Sequence, residues 1–325
     1  MELFESLKGK ISGKNLKIVF PEGTDIRILG AANRLNADKL LTPVLIGNVK
    51  EVTDGLVERG INPEGFEIYD PDNCQRFPKM VEIFVELRKG KVTEEEAKTM
   101  LKDPNYFGTM LVQMEIADGM VSGAIHSTAD TVRPALQIIK TKPGVRSVSG
   151  AFVMVRGRDD NEKYIFADCA INIKPDSETL ADIAVASAET AKLFDIEPKV
   201  AMLSFSTKGS GKSDDVVRVK EATELVQEAH PEIEIDGELQ FDAAFVAAVA
   251  RQKAPSSTVA GKATVFVFPE IQSGNIGYKI AQRLGNFEAL GPILQGLNKP
   301  VADLSRGCNE EDVYKLAIIT ASQAL

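Results

Sequence analysis

VADLSRGCNEED, residues 301–312, gathers an apolar run, a hydroxyl, a guanidinium and a carboxylate into a single junction. Residues 299–304 read as a strand, and 313–325 carries apolar residues at helical spacing, so the order is strand, loop, helix. Ser305 and Arg306 then fall at the C-terminal end of a strand, where open α/β sheets bind ligands. Asn309 is expected as the N-cap, with Glu310 and Glu311 in the first turn and Asp312 at the third helical position. The same residues also suit a purely structural role, in which Asp312 completes a capping arrangement with Asn309 and Arg306 is its surface counter-ion.

Working outward, the strand-then-helix alternation recurs along the chain and predicts an α/β protein. Strand-like runs lie at 17–20, 43–46, 119–121, 147–155, 164–167, 199–205 and 264–268. Helical spacing occupies 25–35, 76–89, 129–140, 177–193, 213–229 and 238–252. Breaks at 142–144 and 298–300 suggest two crossings between domains. The last strand and helix are too short to form a core alone, so they are expected to rejoin the first domain. This predicts a first α/β domain of residues 1–143 and 300–325, an inserted second α/β domain of 144–299, and an active site in the cleft between them.

Hydrophobic residues make up 44% and charged residues 26% of the 325, the balance of a globular protein. No apolar stretch approaches the roughly 20 residues of a membrane span, and MELFESLKGK at the start lacks the apolar centre of a signal peptide. A cytoplasmic protein without membrane partners is expected. The net charge of −9 argues against nucleic acid, but an anionic small molecule needs only a local cluster of arginines and oriented N–H groups. Cys74, Cys169 and Cys308 are too few and too scattered for a disulfide framework or a zinc site. Of the two histidines, His230 precedes a proline in a segment read as a loop, which leaves His126. A Ser-His-Asp hydrolase and a histidine-ligated metal enzyme are therefore disfavoured.

Three further segments carry possible chemistry. In ADGMVSGAIHSTADTVRPALQII, residues 117–139, a strand leads to Ser127 and Thr128 and then to a helix bearing Arg133, a suitable cradle for an anion. Ser127 or Thr128 equally suits a helix cap, with Arg133 a solvated surface group. SFSTKGSGKS, residues 204–213, nearly matches a P-loop, but Ser206 stands where the first glycine belongs, so a plain anion-binding or flexible loop is expected. FPEIQSGNIGYKIAQRL, residues 268–284, ends a strand in a small-residue turn and predicts a helix from about Asn275, with Arg283 two turns in. Arg88 and Arg283 each fit a ligand phosphate or ordinary solvation.

Taken together, these segments resemble the phosphate acetyltransferases across essentially the full length. The likeness is carried by PEGTDIRILGAANRL from Pro21, SGAIHSTADTVRPALQIIKTKPG from Ser122, FADCAINIKP from Phe166, MLSFSTKGSG from Met202, DGELQFDAAF from Asp236, FPEIQSGNIGYKIAQRL from Phe268 and VADLSRGC from Val301. The resemblance implies two α/β domains of the kind seen in isocitrate and isopropylmalate dehydrogenases, a homodimer, and reversible acetyl transfer between phosphate and coenzyme A. It implies catalytic roles for Ser305, Arg306 and Asp312, and substrate-binding roles for Arg88, Arg133 and Arg283. Ser127, Thr128 and Arg133 are expected to receive the phosphoryl group, and Arg88, Arg283 and Asn275 to bind coenzyme A. Coenzyme A is a co-substrate, and neither a tightly bound cofactor nor a metal is expected.

On this basis Asp312 is expected to take the thiol proton of coenzyme A, whose sulfur attacks acetyl phosphate directly in a ternary complex. Full proton transfer from a thiol to an aspartate costs about 6 kcal/mol in water, so removal must accompany attack. Ser305 would donate to the developing oxyanion, a contact typically worth roughly 3 kcal/mol. Cys308 is expected to line the site without forming an acyl-enzyme. Other readings are a phosphate butyryltransferase, a metal-dependent oxidoreductase and a catalytically silent regulatory module. No clustered acidic ligands or cofactor fingerprint support the oxidoreductase, and intact Ser305, Arg306 and Asp312 argue against silence.

Overall fold

Buried apolar runs separated by capped helices build the chain, which the computed structural model describes at residues 2–157 and 161–325. The first part runs through α1 (Glu2–Ile11), β1 (Lys17–Phe20), α2 (Ile26–Ala37), β2 (Thr42–Ile46), α3 (Val49–Glu58) and β3 (Glu67–Tyr69). It continues with α4 (Phe77–Arg88), α5 (Glu94–Met100), α6 (Pro104–Gln113), β4 (Gly119–Ser122) and α7 (Thr128–Ile138). The helix starts follow from side chains that accept otherwise unpaired N–H groups. Asp25 caps α2, Asn48 caps α3, and Ser127 forms a reciprocal capping box with Asp130 on α7.

The middle of the chain holds β5 (Ser149–Arg156), β6 (Glu162–Ala167), α8 (Ser177–Leu193), β7 (Lys199–Leu203), α9 (Asp214–Ala229) and β8 (Glu234–Leu239). Two short helices follow, α10 (Phe241–Phe245) and α11 (Ala247–Lys253), then β9 (Val265–Val267), α12 (Ile271–Leu284) and β10 (Glu288–Gln295). Last come β11 (Val301–Asp303) and α13 (Glu310–Gln323). The helix expected over 238–252 is corrected here. Glu238 and Leu239 belong to β8, which pairs in parallel with β7, and only the residues after Gln240 are helical. Pairing of β8 with β7 takes Glu238 and Leu239 into the sheet, and the helical spacing of the alanines and phenylalanines takes effect only after Gln240.

Two compact α/β units result, one of Glu2–Lys142 with Leu297–Leu325, the other of Pro143–Gly296. In the first, the strands lie in the order β3, β2, β1, β4, β11, all parallel. Almost every residue of β1, β2, β4 and β11 is buried, as strands covered by helices on both faces require. In the second, β10, β5 and β6 are antiparallel neighbours, and β6, β9, β7 and β8 run parallel. Its core is aromatic, with Phe166 and Phe266 edge to face and Tyr278 of α12 stacked on Phe152. Among the described residues, no helix is long and apolar enough to cross a membrane.

Candidate active site

At the C-terminal ends of the first unit's strands, Glu22 organises the loop that follows β4. Its carboxylate, 3% exposed, accepts the N–H groups of Gly123, Ala124, Ile125 and His126 at 2.8–3.3 Å, and His126 Nδ1 lies 2.8 Å from Oε1. Burial pushes the Glu22 carboxyl upward, but the His126 hydrogen bond and the loop N–H groups outweigh it and hold the group below its ordinary value. The same hydrogen bond raises His126 against the opposing effect of its own burial. Gly123, at φ 110°, lets this loop pass the end of β11, since a Cβ there would lie 2.5 Å from the Leu304 carbonyl oxygen.

Arg27 ties that loop to the 305–312 junction. It grips Asp25 with Nε and Nη2 at 2.9 and 2.8 Å and donates to the carbonyls of Ala124, Arg306 and Cys308 at 2.8, 2.9 and 3.1 Å. The backbone around Arg306 and Cys308 is thus fixed by a guanidinium from α2. Ser305, Arg306 and Gly307 are exposed, and Ser305 Oγ accepts the Gly307 N–H at 3.2 Å. Asn309 caps α13 by accepting the Asp312 N–H at 3.0 Å, and Asp312 Oδ2 accepts the Asn309 N–H at 2.9 Å. Asp312 is therefore a helix-capping residue with one oxygen committed and Oδ1 without a hydrogen bond among the described residues. Arg306 forms no ion pair with it or with any other described residue. The Cys308 thiol is buried, and burial, only partly offset by Arg27, pushes it up to about 11.

The N-terminus of α7 opens beside this junction. Ser127 Oγ donates to Asp130 Oδ2 at 2.7 Å, and Thr128 Oγ1 donates to Asp303 Oδ2 at 2.6 Å. Both hydroxyl hydrogens are thus given to carboxylates of the protein. The first N–H groups of α7 and the exposed Arg133 are the groups left to meet an anion. Arg133 and Arg88, from α7 and α4, both bear on the hydroxyl of Tyr106, which donates to Gln137 at 3.1 Å. Sequence spacing gave no hint that these two arginines share a neighbour.

In the other unit, α12 starts at Ile271 and not near Asn275, because Glu270 accepts the Gln272 and Ser273 N–H groups. Gly274, read as a turn residue, is helical, and its missing side chain lets the helix approach the Asp168 carbonyl, which a Cβ would meet at 2.3 Å. Asn275 donates to the Cys169 carbonyl at 3.0 Å and accepts from Lys279 at 2.8 Å, whereas Arg283 is exposed. The 204–213 loop closes on a carboxylate of its own. Ser206 Oγ and the Gly209 N–H both donate to buried Glu238 at 2.9 and 2.7 Å, and Lys208 pairs with Asp236. Its nest is filled by protein where a P-loop holds phosphate. Among the described residues, no cluster of three or more His, Cys, Asp or Glu is placed to hold a metal ion.

A family profile described as phosphate acetyl/butaryl transferase matches residues 2–321. The chain belongs to that family. A phosphate acetyltransferase of Bacillus subtilis is 61% identical over all of this chain and 99% of its own length. One from Staphylococcus aureus is 56% identical, with the same coverage of both chains. The crystal structure of a phosphotransacetylase from Streptococcus pyogenes superposes with a TM-score of 0.97 at 63% identity, over 99% of this chain and 98% of that one. Membership makes the chain an acyltransferase. Glu22, Arg27 and Asp303, whose hydrogen bonds hold the candidate site's loops, were missed by sequence reasoning. Glu22 and Asp303 are marked only as charged residues at or just beyond the end of an apolar strand, and Arg27, inside α2, lacks even that signal.

Proposed function

We propose that this protein is a phosphate acetyltransferase, moving acetyl reversibly between acetyl phosphate and coenzyme A in acetate metabolism. The observation that carries this is full-length identity of 61% with a phosphate acetyltransferase. The junction from Ser305 to Asp312 supports the chemistry. Ser305 and Arg306 are exposed and tethered through backbone held by Arg27, and Asp312 keeps one carboxylate oxygen free to receive a proton. Coenzyme A is the co-substrate, and its thiol proton passes to Asp312 as sulfur attacks the acetyl carbon. The C–S bond forms as the bond from acetyl carbon to phosphate oxygen breaks, and phosphate leaves as an anion. Ser305 stabilises the oxyanion and Arg306 the thiolate or phosphate. A Cys308 thiol raised to about 11 is almost wholly protonated at neutral pH, which favours direct transfer over an acetyl-cysteine intermediate.

The helix N-terminus of α7, with Ser127, Thr128 and Arg133, takes the phosphoryl group. Arg88, Arg283 and Asn275 take coenzyme A, and the hydrogen bonds already made by Asn275 favour Arg88 and Arg283 as the direct contacts. The chain's two domains are residues 1–143 with 300–325 and residues 144–299, a division supported by contact boundaries at Lys142/Pro143 and Gly296/Leu297. A homodimer is supported by exposed Ile276, Ile280 and Leu284, which recur every fourth residue along α12. Three unpaired cysteines suit a reducing cytoplasm. Competition between acetyl, propionyl and butyryl phosphates for coenzyme A tests the assignment. Acetyl phosphate should have the highest kcat/KM, and a preference for butyryl phosphate would move the protein to the butyryl branch of the family.

A further inference from the structure

Asp303, the last residue of β11, is 2% exposed, yet only one of its carboxylate oxygens has a hydrogen-bond partner. That partner is the hydroxyl of Thr128, the first residue of α7, at 2.6 Å. Thr131, one turn on, turns a fully buried hydroxyl toward the same carboxyl without closing a hydrogen bond. A threonine hydroxyl has one hydrogen to give. While Asp303 is ionised, that hydrogen is held by a full negative charge, and Thr128 offers an arriving anion only lone pairs.

We propose that Asp303 is a positioning residue that couples proton uptake to anion binding at the α7 N-terminus: ionised it retains the Thr128 hydrogen, and protonated it releases that hydrogen to an incoming phosphoryl oxygen. The proposal rests on the reading of this helix end as the phosphoryl site. On protonation, Asp303 gains an O–H that can reach the unpartnered Thr131 hydroxyl, so the neutral form is not left without a partner. The charged groups around it favour that form. Glu22 adds negative charge from the turn after β1, itself paired with His126, and α7 turns only the hydroxyls of Thr128 and Thr131 to the carboxyl. Ser122 is the register partner on β4, and the buried residues of α13 include no charged group. Burial, opposed by the Thr128 hydrogen bond, pushes the Asp303 carboxyl up to about 6, within reach of ordinary pH changes. An anion at the site would raise it further, so anion and proton should bind cooperatively.

The test is inorganic sulfate, which does not titrate near neutrality, bound to the full-length protein and followed by calorimetry at pH 5.5 and 7.5. Wild-type affinity should fall by roughly tenfold between these pH values, and D303N should bind at pH 7.5 about as tightly as wild type does at 5.5. What pH dependence D303N retains belongs to His126. In T128V, binding should weaken at pH 5.5 and hardly change at 7.5, where the hydroxyl hydrogen is already committed, so this variant decides the matter if D303N does not fold. Sulfate that binds through Arg133, and is lost in R133A, but shows the same pH profile in wild type and D303N would overturn the coupling and spare the site. Equal weakening of T128V at both pH values would do the same. Failure of sulfate to bind at either pH would overturn the site and the coupling together.

Discussion

Glu22 does for the β4–α7 loop what a bound anion does elsewhere, collecting four backbone N–H groups and an imidazole on one carboxylate. Replacing it in E22Q keeps the shape but turns one oxygen into a donor facing donors, so a loss of about 3 kcal/mol in stability is expected. The pH dependence has two limbs. Because Glu22 is lowered on folding, its contribution is present above the ordinary glutamate range and fades as pH falls through the depressed value. Because His126 is raised, its contribution is complete below about 6.5 and fades as pH rises through the raised value. Thermal melts of wild type against pH should decline on both sides, and E22Q should flatten both limbs. An unchanged profile would remove Glu22 from this role. The strand-loop-helix placement of Ser305, Arg306 and Asp312 was legible in the sequence because they share one junction. The contacts of Glu22 with His126, Arg27 with Arg306, and Thr128 with Asp303 span 104, 279 and 175 residues, and nothing in local sequence encodes such pairings.

Helix starts were the most readable elements, because a cap is local chemistry. Asn309 before α13 and the full span of α8 were expected from side-chain type and spacing, and the cap of α7, left open between Ser127 and Thr128, is Ser127. The strands that escaped are those whose pairing, not whose sequence, makes them strands. β3 is three half-buried residues, β8 reads EIDGEL with three acids and a glycine, and β10 is interrupted by Gly291 and Pro292. Close approach between elements also leaves a mark, as at Gly123, where the β4–α7 loop meets the end of β11. G123A would need a rarely populated backbone and would drive its Cβ to within 2.7 Å of Asp303 Oδ1 and of the Leu304 nitrogen. A loss of about 3 kcal/mol or more is expected, measured by denaturant unfolding. Stability within about 0.5 kcal/mol of wild type would mean the loop can give way.

At the scale of the whole molecule, the α/β class was readable from the order of strands and helices. Assembly was not, since a one-sided apolar helix looks the same in sequence whether it faces a core or a partner. With Ile276, Ile280 and Leu284 exposed on α12, the proposed homodimer makes a direct demand. I280D combined with L284D should halve the solution mass found by light scattering, and an unchanged mass would place any interface elsewhere. The catalytic account makes a sharper demand, because it assigns proton removal to a capping carboxylate with one free oxygen. The decisive measurement is thioester formation from acetyl phosphate and coenzyme A by wild type and D312N under saturating substrates. Wild type should turn over, and D312N should lose roughly 100-fold or more in kcat with little change in either KM. A D312N enzyme with wild-type kcat would contradict Asp312 as the base and with it the proposed direct-transfer mechanism.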